Sequence, residues 1–301
     1  MTAEAFCAAV DWGTSRIRLW LLSRDGTVLA ESRGDEGMLH CLQTGFQPAL
    51  EMHLATVGAD ASIPVMICGM AGARRAWREA PYLDTPAALS RLPGAAVRIE
   101  DAGRDVRIIP GVAQRRVDAP NVMRGEETQL LGVAKVDESA LFCMPGTHCK
   151  WVGVENGAIV QFSTFMTGEL FDVISKHSIL AQSVEGGGFD SRHPAFERAM
   201  RRGIASPASA HSALFELRAA QLLGYEGVRD GAPFLSGLLI GAEVGSARAL
   251  YRSQHVHLVA SGLVAAIYRT ALEAAGAEVA LLDAEEAARR GLFAAACAVW
   301  P

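Results

Sequence analysis

The sequence lacks the short motifs of several large enzyme classes. It contains no G-x-x-x-x-G-K-[ST] run, which excludes a P-loop nucleotide site, and no G-x-G-x-x-G run, which disfavours a dinucleotide-binding enzyme. It also has no H-E-x-x-H, no G-x-S-x-G and no H-R-D, so these zinc peptidase, α/β-hydrolase and protein kinase signatures are all missing. A nucleotide, if one is bound, is therefore held by another kind of scaffold.

The sequence also lacks a long hydrophobic run and an excess of positive charge. The longest apolar stretch, Leu258 to Tyr268, is interrupted by Ser261 and Gly262 and falls short of the roughly 18 residues of a membrane-spanning helix. There are 28 Lys and Arg against 33 Asp and Glu, which gives a formal charge of −5. Because binding to nucleic acid needs a basic surface, we predict neither a nucleic-acid nor a membrane partner.

The six cysteines show no C-x-x-C spacing, and most of them stand in apolar runs. This pattern favours buried free thiols in a reducing cytoplasm, with a zinc site as the alternative. We therefore expect a cytoplasmic protein. With 301 residues, half of them hydrophobic, the chain is long enough for about two domains.

Two stretches of the sequence repeat the same order of short strands and turns. In each, a turn with a Gly-Thr pair follows the first strand, and the predicted strands cover residues 6–10, 17–22 and 28–31, then 140–144, 150–154 and 159–162. The D-G pair in residues 24–27 predicts a hairpin turn between the second and third strands of the first set. Helical spacing of apolar residues predicts a helix over Asn121–Ala134 between them. We expect an α/β protein of two similar domains around a cleft, with the boundary near residues 134–139.

Both Gly-Thr turns have the chemistry of a phosphate site. Asp11-Trp12-Gly13-Thr14-Ser15 and Pro145-Gly146-Thr147-His148 combine small residues, whose backbone N–H groups can approach a phosphate, with hydroxyl donors. The Asp11 carboxylate can also hold Mg²⁺ through water. Either turn alone is also typical of an ordinary hairpin. The matched pair strengthens the prediction that both turns bind one polyphosphate.

Two further stretches are candidates for chemistry. Arg124-Gly125-Glu126-Glu127-Thr128 begins a helix, where a carboxylate is either a solvated residue that suits the helix dipole or a general base toward a γ-phosphate. Position alone does not distinguish Glu126 from Glu127. The second stretch, His257 to Gly262, leads from a strand into a helix. Its small residues suit either a nucleotide or a plain turn.

These residues resemble a known superfamily. Asp11–Thr14, Gly146-Thr147 and Val259–Gly262 are similar, in this order, to the two phosphate motifs and the adenosine motif of the actin-like ATPases, which include sugar kinases. Within that superfamily nearly the whole chain resembles the 2-dehydro-3-deoxygalactonokinase family, most specifically through M-R-G-E-E-T at 123–128 and P-G-T-H-C-K-W at 145–151. The resemblance implies two actin-like ATPase (ribonuclease H-like) domains around a nucleotide-binding cleft. It places the sugar-acid site in residues 1–136 and the ATP site in residues 137–301.

The resemblance also implies an activity and a set of site residues. Such kinases transfer the γ-phosphoryl group of ATP, with Mg²⁺, to the 6-hydroxyl of 2-dehydro-3-deoxy-D-galactonate in galactonate breakdown. Asp11 is then expected to orient Mg²⁺, and Glu126 to act as the base in place of the Asp of related sugar kinases. The residues expected at ATP are Gly13, Thr14, Ser15, Arg18, Gly146, Thr147, Ser261 and Gly262.

The resemblance also implies that the segment after Ile67 corresponds to a loop that contacts the substrate in related sugar kinases. We expect Arg74 to bind the carboxylate of the sugar acid, because arginine makes bidentate hydrogen bonds to carboxylates. Trp77, Thr167 and Glu169 are also expected at the substrate. Two alternatives stay open. One is a kinase of another aldonic or keto-deoxy acid, and the other is a nucleotide-binding regulatory protein without catalysis. A homo-oligomer is compatible with either.

Overall fold

The computed structural model of the protein describes residues 4–100, 102–137, 139–184, 191–225 and 227–301. Its residue contacts divide the chain into two compact units. Unit 1 consists of Met1–Ser139, Val154–Gln161 and Ala284–Pro301, and unit 2 consists of Ala140–Gly153 and Phe162–Asp283. The assignment of the sugar-acid site to residues 1–136 and of the ATP site to residues 137–301 stays a prediction.

Strands and helices follow one another along the whole described chain. The first part contains β1 (Ala5–Trp12), β2 (Ile17–Ser23), β3 (Val28–Gly34), α1 (Met38–Thr44), α2 (Phe46–Thr56), β4 (Val65–Gly69), β5 (Leu83–Asp84), β6 (Ala87–Ala88), β7 (Val97–Ile99), β8 (Val106–Ile108), β9 (Val112–Gln114), β10 (Asn121–Met123) and α3 (Glu126–Val133). The second part contains β11 (Ala140–Met144), β12 (Cys149–Glu155), β13 (Ala158–Phe165), α4 (Thr167–His177), α5 (Pro194–Ala205), α6 (Ala210–Leu222), α7 (Gly231–Tyr251), β14 (His255–Val259), α8 (Gly262–Ala274), β15 (Glu278–Leu282) and α9 (Ala284–Val299).

Two sheets of the chain repeat one strand order. In unit 1 the order is β3-β2-β1-β4-β8-β7; β2 is antiparallel to both β1 and β3, while β1, β4 and β8 run parallel. The sheet that contains β11 has the order β6-β13-β12-β11-β14-β15, in which β11, β14 and β15 run parallel and β6 is antiparallel to β13. In both sheets the first strand lies between the second and the fourth. The repeat expected from the sequence is thus a repeat of topology, and the expected α/β fold of the actin-like ATPases is confirmed.

The hairpin between β2 and β3 shows how local chemistry fixes this topology. The Asp25 carboxylate accepts hydrogen bonds from the Ser23 hydroxyl at 2.5 Å and from the Thr27 N–H at 3.1 Å. Gly26 takes a φ of +83°, which a residue without a side chain adopts most easily. The D-G turn predicted at this position is confirmed, and it returns the chain alongside β2.

The helix predicted over Asn121–Ala134 is wrong in its first part. Residues Asn121–Met123 form β10, which pairs antiparallel with β9, and α3 begins only at Glu126. Gly125 separates the two elements with a φ of +109°, outside the range of a helix. The first turn of α3, directly after this break, carries two adjacent glutamates.

The core of unit 1 lies directly under the end of β1. Trp12 is fully buried, its ring centre is 5.3 Å from that of Phe46, and its Nε1 donates to the Glu36 carbonyl at 2.9 Å. Helix α9 packs against α3 at Gly291. A methyl group on Gly291 would come within 1.8 Å of the Thr128 carbonyl oxygen. Tight packing on both sides therefore fixes the start of α3 relative to the end of β1.

In unit 2 the long helix α7 is the centre of the packing. It crosses α5 so closely that a methyl group on Gly241 would lie 2.2 Å from the Met200 carbonyl oxygen. Leu235, Leu238 and Val244 of the same helix are fully buried. Although α7 spans 21 residues, no helix in the described ranges combines the length and hydrophobicity needed to cross a membrane.

Candidate active site

A first group of candidate site residues lies in unit 1, at the ends of two parallel strands. Asp11 of β1 stands opposite Cys68 of β4 in the register of the sheet, and the Cys68 thiol points to Asp11 Oδ1 at 3.8 Å. Arg18 of β2 donates from Nη1 to Asp11 Oδ2 at 3.3 Å. Burial raises the pKa of Asp11, and the charge of Arg18 opposes this shift only in part. Asp11 is thus a carboxylate whose negative charge is incompletely compensated.

The turn after Asp11 presents its donors outward. The Gly13 N–H bonds to the Arg16 carbonyl at 2.8 Å, while the Gly13 and Thr14 carbonyls accept from the first N–H groups of α1 at 3.0 and 3.1 Å. These contacts hold the backbone of the turn. The Thr14 and Ser15 side chains are exposed, and neither hydroxyl has a partner within the described ranges. The turn can therefore offer two hydroxyls and its own N–H groups to an anion.

A second feature of unit 1 is a shallow pocket beside this turn, of about 310 Å³. It is lined by Arg16, Arg18 and Arg33, together with Ile17, Gly34 and Asp35. Arg33 forms an ion pair with Glu285, whose carboxylate accepts a hydrogen bond from Arg33 Nη1 at 2.9 Å. Of the expected ATP residues, Arg18 lines this pocket, while Gly13, Thr14 and Ser15 form the turn that leads into it along the chain.

The two glutamates at the start of α3 have different environments. Glu127 is fully buried, both of its carboxylate oxygens accept from the Gly125 N–H at 2.8 Å, and the Thr128 hydroxyl donates to it at 3.1 Å. Burial, with a smaller contribution from the charge of Glu126, raises the pKa of Glu127 to about 8. Glu126 is only partly buried and accepts from the Arg124 N–H at 3.1 Å. Its charge also raises the pKa of Asp11, so these two carboxylates belong to one site.

The loop after β4 holds the residues expected at the sugar acid in unit 1. Arg74 is exposed and, among the described residues, has no ion-pair partner. Trp77 instead packs into the aromatic core: its ring stacks on Phe46 with centres 6.0 Å apart and meets Trp12 edge to face. The roles of Arg74 and Trp77 at the substrate stay predictions.

A second group of candidate site residues lies in unit 2, at the turn between β11 and β12. Gly146 and Thr147 are exposed, and the Thr147 carbonyl accepts from the Glu169 N–H at 3.0 Å. A methyl group on Gly168 would lie 2.6 Å from the Gly146 carbonyl oxygen, so the start of α4 packs directly against the turn. Glu169 also pairs with the His148 side chain. Glu169, expected at the substrate, is therefore found beside the second phosphate turn, within unit 2.

An apolar pocket of about 260 Å³ opens next to this turn. Gly146, Thr167, Gly168, Ser236 and Tyr268 contribute to its wall, and the rest is apolar: Phe171, Leu239, Ile240, Leu263, Val264 and Ile267. A pocket that is mostly apolar with a few polar groups suits a flat organic ring. Its position beside a phosphate-type turn fits the base of a nucleotide.

Ser261 and Gly262 lie where β14 ends and α8 begins. The Ser261 hydroxyl donates to Asp283 Oδ2 at 2.6 Å. Gly262 has a φ of +62°, and a methyl group there would meet nothing within 4 Å. The next two residues of α8, Leu263 and Val264, line the apolar pocket. The structure thus brings this strand-to-helix turn to the pocket edge, as expected for an adenosine contact, which itself stays a prediction.

Below the pocket is a buried polar cluster that the sequence did not reveal. Glu243 of α7 accepts from Trp151 Nε1 and from the Tyr268 hydroxyl, each at 2.8 Å, and burial raises its pKa. The thiols of Cys143 and Cys149 lie 3.9 Å apart, and with Glu243 they form a group of three potential metal ligands. Thiols suit zinc-like ions rather than Mg²⁺. Because both Glu243 oxygens already accept hydrogen bonds, we assign this cluster to the scaffold.

Comparison with known proteins gives a consistent result. Residues 11–295 match the family model described as 2-keto-3-deoxy-galactonokinase. The chain is 52% identical over 305 residues to a Rhizobium meliloti protein named "Probable 2-dehydro-3-deoxygalactonokinase", with all of both chains covered. It is 37% identical to the 2-dehydro-3-deoxygalactonokinase of Escherichia coli, over 97% of each chain. A crystal structure from Sinorhizobium meliloti assigned to the same kinase superposes with a TM-score of 0.95 at 52% identity, covering 98% of this chain and 100% of that one.

Proposed function

The chain belongs to the 2-keto-3-deoxy-galactonokinase family, and we propose that it transfers the γ-phosphoryl group of ATP to the 6-hydroxyl of 2-dehydro-3-deoxy-D-galactonate. The observation that carries the proposal is the 52% identity with a relative of that name along the entire chain. The carboxylates of Asp11, near the end of β1, and Glu126, at the start of α3, together with the two Gly-Thr turns, supply the chemistry that such a transfer needs.

Glu126 is the base in this proposal. Phosphoryl transfer asks the protein mainly to position the reactants and to stabilise charge, and a base that takes the proton of the attacking hydroxyl adds to this. Glu126 is partly accessible, and the backbone N–H of Arg124 donates to its carboxylate. Glu127 is fully buried and bonded to its own turn, so it cannot reach a substrate hydroxyl. This contrast favours Glu126 over Glu127.

Asp11 fits a divalent cation. Its carboxylate oxygens are the ligands that Mg²⁺ prefers, and a cation would compensate the charge that Arg18 leaves partly unbalanced. Mg²⁺ bound with ATP would neutralise charge on the phosphates during transfer. Arg18 holds one oxygen of the Asp11 carboxylate, and the Cys68 thiol contacts the other.

Each Gly-Thr turn is proposed to bind phosphate. Thr14 and Ser15 offer hydroxyls in unit 1, and Gly146 and Thr147 offer an exposed backbone in unit 2. The apolar pocket beside Gly146 is proposed to take the adenine ring, with Gly262 allowing close approach at its edge. Thr167, whose backbone begins α4 at the pocket wall, then contacts the nucleotide rather than the sugar.

A panel of acceptors tests the function directly. ADP release is measured by a coupled assay with 2-dehydro-3-deoxygalactonate, its C4 epimer, galactonate, gluconate and neutral galactose, and without any acceptor. We expect the highest kcat/KM with 2-dehydro-3-deoxygalactonate and almost no ADP release without an acceptor, because water is a poor substitute for a bound hydroxyl. A clear preference for another acid would reassign the substrate. Equal ADP release with and without acceptors would refute a sugar kinase.

A further inference from the structure

Arg124 is a partly buried arginine whose guanidinium has an incomplete set of hydrogen bonds. Its Nη2 donates to the Ala80 carbonyl at 2.7 Å, and its guanidinium carbon lies 4.6 Å from the centre of the Tyr82 ring. Its Nε and Nη1 are buried and donate to nothing, and no other buried side-chain nitrogen or oxygen in the described part of the chain lacks a partner. Native proteins rarely leave buried donors of a charged group unpaired, because the loss of hydration is not recovered.

The walls around the buried nitrogens of Arg124 are apolar. Nη1 lies so close to Gly72 that a methyl group on Gly72 would come within 2.7 Å of it, and Ile108 and Ala80 close the same side. The charge of Arg124 lowers the pKa of Glu127, but none of the described carboxylates lies within ion-pair distance of the guanidinium. A cation buried among apolar groups is costly unless an anion joins it. The natural partner for two free guanidinium nitrogens is a carboxylate, which arginine binds in a bidentate fashion.

The position of Arg124 connects it to the site described above. Gly72 ends the short turn after β4, the start of the loop expected to contact the substrate. The backbone N–H of Arg124 holds the carboxylate of Glu126, the proposed base. One residue thus orients the base through its backbone and carries an unpaired cation on its side chain.

We propose that Arg124 binds the carboxylate of the sugar acid, an inference that rests on the proposed function. The acceptor carries its carboxylate and its 6-hydroxyl at opposite ends, so Arg124 would hold one end while Glu126 receives the other. Binding turns Nε and Nη1 away from Gly72, Ala80 and Ile108 toward the ligand. This assigns to Arg124 the role that the sequence suggested for the exposed Arg74.

Replacement of Arg124 by methionine tests the assignment. KM and kcat are measured with 2-dehydro-3-deoxygalactonate and with its C1 amide, which lacks the negative charge. We expect R124M to raise KM for the acid on the order of 100-fold, as befits the loss of a charge-assisted bidentate pair, and to change KM for the amide less than about threefold. R124K keeps the positive charge but loses the planar guanidinium that donates two parallel hydrogen bonds, so it should recover part of the affinity for the acid.

Two other arginines of the same loop serve as comparisons. R78M removes an exposed arginine that has no place in the proposed site, and we expect its KM for the acid to equal that of the wild type. R74M tests the rival assignment. An unchanged KM for the acid in R124M, or a large rise in R74M in its place, would overturn the role of Arg124.

Thermal unfolding separates binding from folding. Methionine suits the apolar walls and removes an uncompensated buried charge, so R124M should have a Tm equal to or above that of the wild type. The acid should raise the Tm of the wild type and not that of R124M, while ATP with Mg²⁺ should raise both. A Tm of R124M well below the wild type, together with a lost response to ATP, would show a structural role only and overturn the proposal.

The same data distinguish this inference from the proposed function. If the wild type phosphorylates none of the sugar acids, the proposed function fails, and the inference fails with it. If the wild type phosphorylates the acid and R124M does so with the same KM, only the role of Arg124 fails.

Discussion

Replacement of Glu127 by glutamine should change how the stability of the protein depends on pH. Burial and the neighbouring charge of Glu126 raise the pKa of Glu127 from 4.5 to about 8 in the folded protein. In the unfolded chain the carboxyl is exposed and titrates near its ordinary value. Between these two values the folded protein binds the additional proton. The contribution of Glu127 to the free energy of unfolding is therefore fully present below pH 4.5 and falls as the pH rises toward 8.

The magnitude follows from the width of this window. A group that is protonated in the fold and ionised in the unfolded chain costs about 1.4 kcal/mol of stability for each pH unit. Over two pH units inside the window the wild type should thus lose about 2 to 3 kcal/mol through Glu127. Glutamine has nearly the same size, keeps an oxygen to accept from Gly125, and cannot ionise, so E127Q should escape this loss.

Urea unfolding followed by tryptophan fluorescence measures the effect at about pH 5.5, 6.5 and 7.5. The midpoint of E127Q should move above that of the wild type by an amount that grows with pH. E155Q, at an exposed glutamate, is the matched control and should follow the wild type at each pH. Parallel pH curves for the wild type and E127Q would refute the raised pKa and the burial argument behind it.

Three further predictions concern activity. E126Q should lower kcat by roughly 10²- to 10⁴-fold with little change in ATP affinity, since only the base is lost; an unchanged kcat in steady-state assays would remove Glu126 from the mechanism. G168A should weaken ATP binding, because its methyl group would lie 2.6 Å from the Gly146 carbonyl oxygen, whereas G94A, with nothing within 4 Å, should not; calorimetry that finds equal affinities would contradict this packing. L239W should fill the apolar pocket and weaken ATP binding at least about tenfold; tight binding of ATP to this variant would place the adenine ring elsewhere.

The local signals in the sequence predicted the parts of the fold that local chemistry determines. The D-G turn at Gly26 and the repeated strand order are examples, because turn residues and alternating hydrophobicity act over a few neighbours. The helix predicted over Asn121–Ala134 was wrong at its start for the opposite reason. Residues 121–123 form a strand because β9 pairs with them, and that pairing is not visible in their own spacing.

The residues of the candidate site also differ in whether the sequence alone could identify them. The Gly-Thr turns could be found from residue types, whereas the difference between Glu126 and Glu127 depends on burial by elements far away in sequence, such as α9. The unpaired guanidinium of Arg124 depends on Gly72, Ala80 and Tyr82, so no local pattern could reveal it. The M-R-G-E-E-T run was the signal available, and it indicated the segment but not which side chain was buried.

Phosphorus NMR of the reaction mixture is the most direct test of the central claim, that this chain phosphorylates a sugar acid at its terminal hydroxyl. With ATP, Mg²⁺ and 2-dehydro-3-deoxygalactonate, we expect a new phosphomonoester signal coupled to the two protons on C6, which E126Q forms roughly 10²- to 10⁴-fold more slowly. Release of inorganic phosphate at the same rate with and without the acid, or a phosphomonoester at another carbon, would contradict it.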